Sequence, residues 1–233
     1  MRKINILTKA DLSPLINSLI TELTIVEANR AIYERLTELC GKGKECEIVF
    51  LRSNTFWTLM IKNISDQIIA GLARLYDVSP KTFCLQTFIK DCKDNKQIFP
   101  GICKLPQWND YEEQSEAPAS VVLRKMQEEY NRVETERGKI KNIRNKVMSH
   151  IDRAYVLDSS SLYSGITWAE IENLIEAAQN IINYVLVAAY DTAASFLLVD
   201  YDDIDRLLKM ALYGYNRKKA EHFELYNHMD NAN

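Results

Sequence analysis

The stretch that decides the fold is ASVVLRKMQEEYNRVETERGKIKNIRNKVMSHIDRAY, residues 119–155. Its apolar residues recur at steps of three, four and seven, which is the repeat of an α-helix that buries one face. The members of this stripe are Met126, Tyr130, Val133, Ile140, Val147 and Ile151. The stretch contains no proline. The pattern therefore predicts one long helix over about 119–155.

The same repeat predicts helices in the first half of the chain. Ser13-Pro14 is typical of a helix start, because serine caps the first turn and proline needs no N–H there. The apolar stripe around it consists of Leu12, Ile16, Leu19, Leu23 and Val26. A second helix is predicted over about Cys46–Tyr76. A third is predicted to begin at Ser79-Pro80 and to end near Asp91.

The second half of the chain starts with a break in the helical pattern. Residues 93–118 hold three of the five prolines, which predicts a long irregular connection. Thr167-Trp168-Ala169-Glu170 is a capping box that opens a helix to about Val199. The last helix is predicted over about 200–226. No alternating run is long enough to predict a sheet.

These elements predict an all-α protein. We expect a single domain over residues 1–233. The most apolar window, 181–199, carries Asp191, which is costly in lipid. We therefore expect a buried core helix there and no membrane contact.

Composition and charge point to a soluble, cytoplasmic protein. The net charge of −3 gives no general attraction to nucleic acid, so any phosphate site must be a local patch. The five cysteines match no zinc or iron–sulfur spacing and are expected to be reduced. Residues 1–11 lack the apolar segment of a signal peptide. No metal or cofactor is expected, and the aspartates of 200–205 lack the glycine and closing glutamate of a calcium loop.

The candidate catalytic residues are Arg144 and His150, which lie on the two edges of the apolar stripe. On a helix, His150 falls about 20° to one side of Ile143, and Arg144 about 100° to the other. Polar residues at these edges lie where a buried face meets a groove. Freely solvated charge is unusual in that position.

These two residue types suit metal-independent RNA cleavage, in which the ribose 2′-OH attacks the neighbouring phosphorus. Histidine accepts or donates a proton near neutral pH, and arginine stabilises the charge of the phosphate. About 9 Å of helix axis separates the pair, so two copies in a homodimer would present them jointly to one phosphate.

A basic strip surrounds the pair. Between Arg137 and Arg153 six cations and one anion give a net charge of +5, and the rest of the chain totals −8. Such a strip on an acidic protein favours focused binding of an RNA phosphate backbone. The candidate substrate-binding residues are Lys141, Asn145, Lys146 and Arg153.

At these residues the sequence resembles the HEPN family. Arg144-Asn145, four further residues and His150 are similar to its RxxxxxH signature. The string 143–152, and 56–77 upstream, resemble its abortive-infection, AbiU-like branch. Ser149 stands where that branch usually has alanine. The resemblance covers most of residues 12–200 and implies that this core is an up-and-down helical bundle with additional helices. It also implies a homodimer and often a metal-independent endoribonuclease acting as a toxin or antiviral effector, with Arg144 and His150 catalytic and Asn145 in support.

Other interpretations of the same residues stay open. His150 could be a partly buried helix residue, Arg144 could be an ordinary ion-pair partner, and the lysines could form a solvated helix face. The chain could accordingly be a non-catalytic module that binds nucleotide, RNA or a protein antitoxin. It could also be an all-α interaction protein in which the motif occurs by chance.

Overall fold

The computed structural model describes residues 7–79, 82–105, 115–145, 165–196 and 202–230, with the backbone alone for 115, 116 and 222–230. In these ranges the chain forms eight α-helices, one 3-10 turn and two short strands. The helices are α1 Lys9–Cys40, α2 Glu47–Arg52, α3 Asn54–Leu75, α4 Leu85–Asp94, α5 Ala119–Arg132, α6 Glu134–Ile143, α7 Trp168–Tyr190 and α8 Asp202–Asp230. The 3-10 turn is Lys96–Ile98, and the strands are β1 Ile102–Leu105 and β2 Ser115–Pro118. The prediction of an all-α protein is confirmed.

The residues of the chain form two compact units. The first consists of Met1–Glu27 and Asp66–Leu197, and the second of Ala28–Ser65 and Leu198–Asn233. The described candidate residues Lys141, Arg144 and Asn145 belong to the first unit. The expectation of a single domain over the whole chain stays a prediction.

The core of the first unit is built from the stripes that helical periodicity identifies. All five members of the first stripe are buried: Leu12, Ile16, Leu19, Leu23 and Val26. Helix α7 buries every residue from Ile181 to Ala189 and packs against α5, α6 and β1. A helix that is apolar on every side is stable only inside such a core, where its neighbours cover each face.

The first helix begins one turn earlier than predicted, and Ser13-Pro14 lies inside it. The backbone N–H of Thr8 donates to Asp11 Oδ2 at 2.8 Å, and the N–H of Asp11 donates to the Thr8 hydroxyl at 3.3 Å. This reciprocal pair satisfies two N–H groups of the first turn, as a capping box does. The sequence Thr8-Lys9-Ala10-Asp11 carried that signal.

Two predicted helices are interrupted. Ser53 separates α2 from α3 within the predicted second helix, and Val133 separates α5 from α6 within the predicted long helix. Val133 has φ −104° and ψ 27° and is completely buried. The spacing of apolar residues indicates which face of a helix is buried. It does not indicate that the backbone leaves the helical conformation at a single residue.

The described residues of the predicted connection, 93–105 and 115–118, contain a 3-10 turn and two short strands, which no alternating run in the sequence indicated. After the 3-10 turn, β1 and β2 pair as antiparallel strands with Cys103 opposite Ala117. Lys104 Nζ lies 2.7 Å from Asp191 Oδ2, which attaches β1 to the end of α7. Strands of four residues are too short to show an alternating pattern in the sequence.

Other helix boundaries also differ from the predictions. Helix α7 ends at Tyr190 rather than near Val199, because Asp191 adopts the left-handed conformation with φ 54°. Helix α4 begins at Leu85 rather than Ser79, and the Cys84 N–H donates to the Thr87 hydroxyl at 2.9 Å. The Thr167–Glu170 capping box is confirmed by both of its hydrogen bonds.

Candidate active site

Arg144 directly follows helix α6 and continues its helical backbone with φ −53° and ψ −49°. The apolar residues beside it, Ile140 and Ile143, are 1% and 3% exposed. The Arg144 side chain is 31% exposed. The predicted position at the edge of a buried face is therefore found for Arg144.

The Arg144 guanidinium has one acidic and one neutral neighbour. Its Nη1 lies 3.5 Å from Asp77 Oδ1. Its Nε and Nη2 donate to Asn145 Oδ1 at 3.2 and 3.1 Å. Guanidinium has five N–H donors, so Asn145 uses two and leaves three for other groups. The structure thus places Asn145 against Arg144, where it orients the cation.

The backbone after helix α3 holds Asp77 in place. The N–H of Ser79 donates to Asp77 Oδ1 at 3.2 Å, and the Thr82 hydroxyl donates to Oδ2 at 3.3 Å. Burial raises the pKa of the Asp77 carboxyl. The hydrogen bond from Ser79 and the charge of Arg144 outweigh that effect, so the pKa is lowered. Asp77 is therefore ionised at neutral pH.

Asp77 and Arg144 line a narrow cleft with Tyr76, Arg137 and Lys141. The cleft holds about 10 Å³ of free space, roughly enough for one water molecule. A phosphate group is larger than that, so it would bind at the mouth of the cleft. Two arginines and a lysine against one aspartate make this cleft positive.

The Tyr130 ring supports Arg137. The guanidinium carbon of Arg137 lies 3.8 Å from the centre of the Tyr130 ring, a cation–π arrangement. The Arg137 Nε and the Tyr130 hydroxyl are buried and have no hydrogen-bond partner among the described residues. The neighbouring Tyr76 hydroxyl donates to the carbonyl of Leu174 at 2.5 Å. Arg137 is therefore held by an aromatic face and makes no ion pair with a described carboxylate.

The remaining cations of the strip differ in their surroundings. Lys141 is exposed at the cleft and makes no hydrogen bond or ion pair with any residue that the structure describes. Lys139 instead donates to Glu170 Oε1 at 2.6 Å, in the first turn of α7. That contact and the Thr167 N–H lower the pKa of Glu170. Lys139 thus matches the interpretation as an ordinary surface residue, and Lys141 stays available to an anion.

Three predicted site residues lie outside the described residues, namely Lys146, His150 and Arg153. The catalytic role of His150 and the binding roles of the other two stay predictions. The structure brings together Lys141, Arg144 and Asn145.

Sequence reasoning gave no site role to Asp77 or Arg137. Asp77 is 67 positions before Arg144, so only the folded chain reveals the contact. The segment Asp77-Val78-Ser79 is a weak signal for an Asx turn, in which the aspartate side chain accepts a hydrogen bond from the N–H two residues later. Arg137 belongs to the basic strip that the sequence shows. It lies about two helical turns before Arg144, so both side chains are on the same face of the helix.

Cysteine and metal chemistry receive no support in the described part of the chain. All five cysteines are buried and unpaired. Burial raises the pKa of Cys40 to about 11 and of Cys92 to about 12, so both stay protonated and unreactive at neutral pH. No group of three or more His, Cys, Asp or Glu in these ranges could hold a metal ion.

The described helices also include none with the length and apolar character needed to cross a bilayer.

The family model described as AbiU2, a HEPN branch, matches residues 12–210. The chain therefore belongs to the AbiU2 family of HEPN domains, and the resemblance found in the sequence is confirmed. Comparisons with curated proteins and with solved structures gave no significant match.

Proposed function

We propose that the protein is a metal-independent endoribonuclease of the HEPN type. The observation that carries the proposal is the Arg144 guanidinium at the mouth of a positive cleft, with three N–H groups that Asn145 does not use. Membership of a HEPN family supports the same activity. Arg144 stabilises the charge of the phosphate, and His150 acts as general acid or base.

The proposed reaction is an internal transesterification. The ribose 2′-oxygen forms a bond to phosphorus while the bond from phosphorus to the next 5′-oxygen breaks. The base takes the 2′-hydroxyl proton, and the acid protonates the leaving 5′-oxygen. The products are a 2′,3′-cyclic phosphate and a 5′-hydroxyl. Histidine suits either proton transfer because its unperturbed pKa is near neutrality.

The bidentate geometry of arginine fits the pentacoordinate phosphorus of this reaction better than lysine does. Asp77 and Asn145 restrict the rotation of the Arg144 side chain, so less entropy is lost when phosphate binds. Arg137 and Lys141 add positive charge to the same cleft. Lys146 and Arg153 are proposed to contact the RNA backbone further along the strand.

The proposal includes a homodimer acting in the cytoplasm as a toxin or abortive-infection effector, with a protein antitoxin as its regulator. A second copy would supply a second imidazole, so that one histidine serves as base and the other as acid. Sedimentation velocity at micromolar concentration tests the dimer, and a monomer at every concentration would contradict it.

The first prediction concerns His150. In EDTA, the wild-type protein cleaves single-stranded RNA or tRNA, and the products carry 2′,3′-cyclic phosphates. His150→Ala lowers the cleavage rate by about 10² to 10⁴, because the proton transfer is lost. His222→Ala is the matched control and retains the rate. Circular dichroism confirms equal helix content in both variants.

Two results would contradict this prediction. Wild-type protein that cleaves no RNA between pH 5 and 9 would exclude the nuclease. Equal loss in His150→Ala and His222→Ala would exclude the assigned role of His150.

The Asp77–Arg144 ion pair favours a second candidate, a non-catalytic binding module. An arginine that already has a carboxylate partner can be structural. This candidate predicts no cleavage, with RNA affinity that falls steeply as salt rises. A protein antitoxin as the sole ligand would instead give an affinity with little dependence on salt.

A further inference from the structure

A larger pocket lies beside the Arg144 cleft, between helices α4 and α5. Its volume is about 420 Å³, within the range of small-molecule binding sites. Val78 and Ile89 provide apolar wall, and Gln86, Lys90 and Lys93 provide polar groups. The pocket is therefore large enough for one nucleotide and has both an apolar surface and hydrogen-bonding groups.

The two lysines of this pocket differ in charge compensation. Lys90 forms an ion pair with Asp94 one turn further along α4. Lys93 Nζ donates to the neutral Gln127 Oε1 at 2.6 Å and makes no ion pair with a described carboxylate. Gln127 in turn donates from Nε2 to Asn131 at 2.9 Å, which fixes its carbonyl oxygen toward the lysine. Lys93 is thus a half-buried cation held in a defined position by amides.

Two residues connect this pocket with the Arg144 cleft. Val78 lines both. Tyr130 lines the pocket, and its ring makes the cation–π contact with Arg137 of the cleft. Arg144, Arg137 and Lys93 therefore follow one another along neighbouring surfaces of the first unit. None of the three makes a close, bidentate ion pair with a described carboxylate.

We propose that this pocket is a subsite for one nucleotide of a single-stranded RNA, next to the phosphate that Arg144 contacts. Lys93 binds a backbone phosphate, Val78 contacts the base, and Gln86 donates to the polar edge of the base. The inference rests on the proposed function, since it takes RNA as the substrate. In this proposal, Lys93 binds the RNA strand and takes no part in the cleavage reaction.

Binding in the cleavage-inactive His150→Ala background tests the subsite. The probe is a fluorescein-labelled single-stranded RNA, and its affinity is measured by anisotropy at several salt concentrations. Lys93→Gln lowers the affinity about fivefold and reduces the slope of log K against log salt by about 0.7, because one phosphate contact is lost. Lys93→Arg keeps the charge and restores both values.

Lys96→Gln is the matched control. Lys96 is exposed in the 3-10 turn three residues further on and does not line the pocket. Its substitution removes the same charge and changes the affinity less than twofold. Circular dichroism shows that the variants are folded.

The outcomes separate the subsite from the proposed nuclease. Cleavage by wild-type protein with equal affinities for Lys93→Gln and Lys96→Gln overturns the subsite and leaves the nuclease intact. Selective loss in Lys93→Gln without wild-type cleavage supports the subsite and contradicts the nuclease. No RNA binding at all overturns both.

Discussion

Two arginine–aspartate pairs in the molecule differ in how completely the arginine charge is compensated. In the second unit, Arg35 donates from Nε and Nη2 to the two carboxylate oxygens of Asp205, at 2.7 and 2.5 Å. Its Nη1 also lies 2.7 Å from Glu38 Oε2. Two carboxylates thus surround one guanidinium. This arrangement raises the pKa of Arg35 and lowers that of Asp205.

In the first unit, Arg144 has one carboxylate at 3.5 Å, and its two hydrogen bonds go to the neutral Asn145. The Arg35 and Arg144 side chains are similarly exposed, at 25% and 31%. Burial therefore does not explain the difference. Arg35 thus joins two helices through close contacts with two carboxylates, whereas Arg144 has a single described carboxylate neighbour, at 3.5 Å.

The largest predicted difference between the pairs is in catalysis. Arg144→Ala lowers the rate of RNA cleavage by about 10² to 10³, the usual effect of removing one preorganised donor to a transition-state oxygen. Arg35→Ala leaves the rate within about twofold. Single-turnover cleavage in EDTA measures both, and similar losses in the two variants would remove the contrast.

A smaller and opposite difference is predicted in stability. Arg35→Ala lowers Tm by about 2–4 °C, because a bidentate pair and a third hydrogen bond are lost. Arg144→Ala changes Tm by less than about 2 °C, since its contact with Asp77 is long. Thermal unfolding followed by circular dichroism measures both shifts. A larger drop in Arg144→Ala would assign that pair a structural role.

The smallest predicted effect is the pH dependence of the contribution that Asp77 makes to stability. Its folded-state pKa is lowered, so its contribution to stability is fully present above the unfolded value of about 3.9. The contribution is lost as pH falls through the folded pKa. The Tm difference between wild type and Asp77→Asn is therefore present at pH 5 to 7 and shrinks below about pH 4. A difference that grows on acidification would contradict the sign.

The helical fold and part of the site could be predicted from the sequence, because both depend on short repeats. Buried residues such as Leu12 and Met126 follow the helical period, and the spacing of Arg144 and His150 lies within one predicted helix. The bend at Val133 could not be predicted, since the apolar period continues through it. The strands around Cys103 are too short to leave a pattern.

The partners of Arg144 show a second limit. Asn145 is its chain neighbour and was identified, whereas Asp77 comes from the end of another helix. Such a contact depends on where the end of α3 lies relative to α6, which no local pattern encodes. The hydrogen bond of Lys93 to Gln127, in place of an ion pair with a described carboxylate, depends in the same way on tertiary structure.

Salt-dependent RNA binding measures whether phosphate has access to the charge of Arg144 and not to that of Arg35. In the His150→Ala background, we expect Arg144→Ala to reduce the slope of log K against log salt by about 0.7. Arg35→Ala is predicted to leave the slope unchanged. Equal slopes in all three proteins would contradict this expectation.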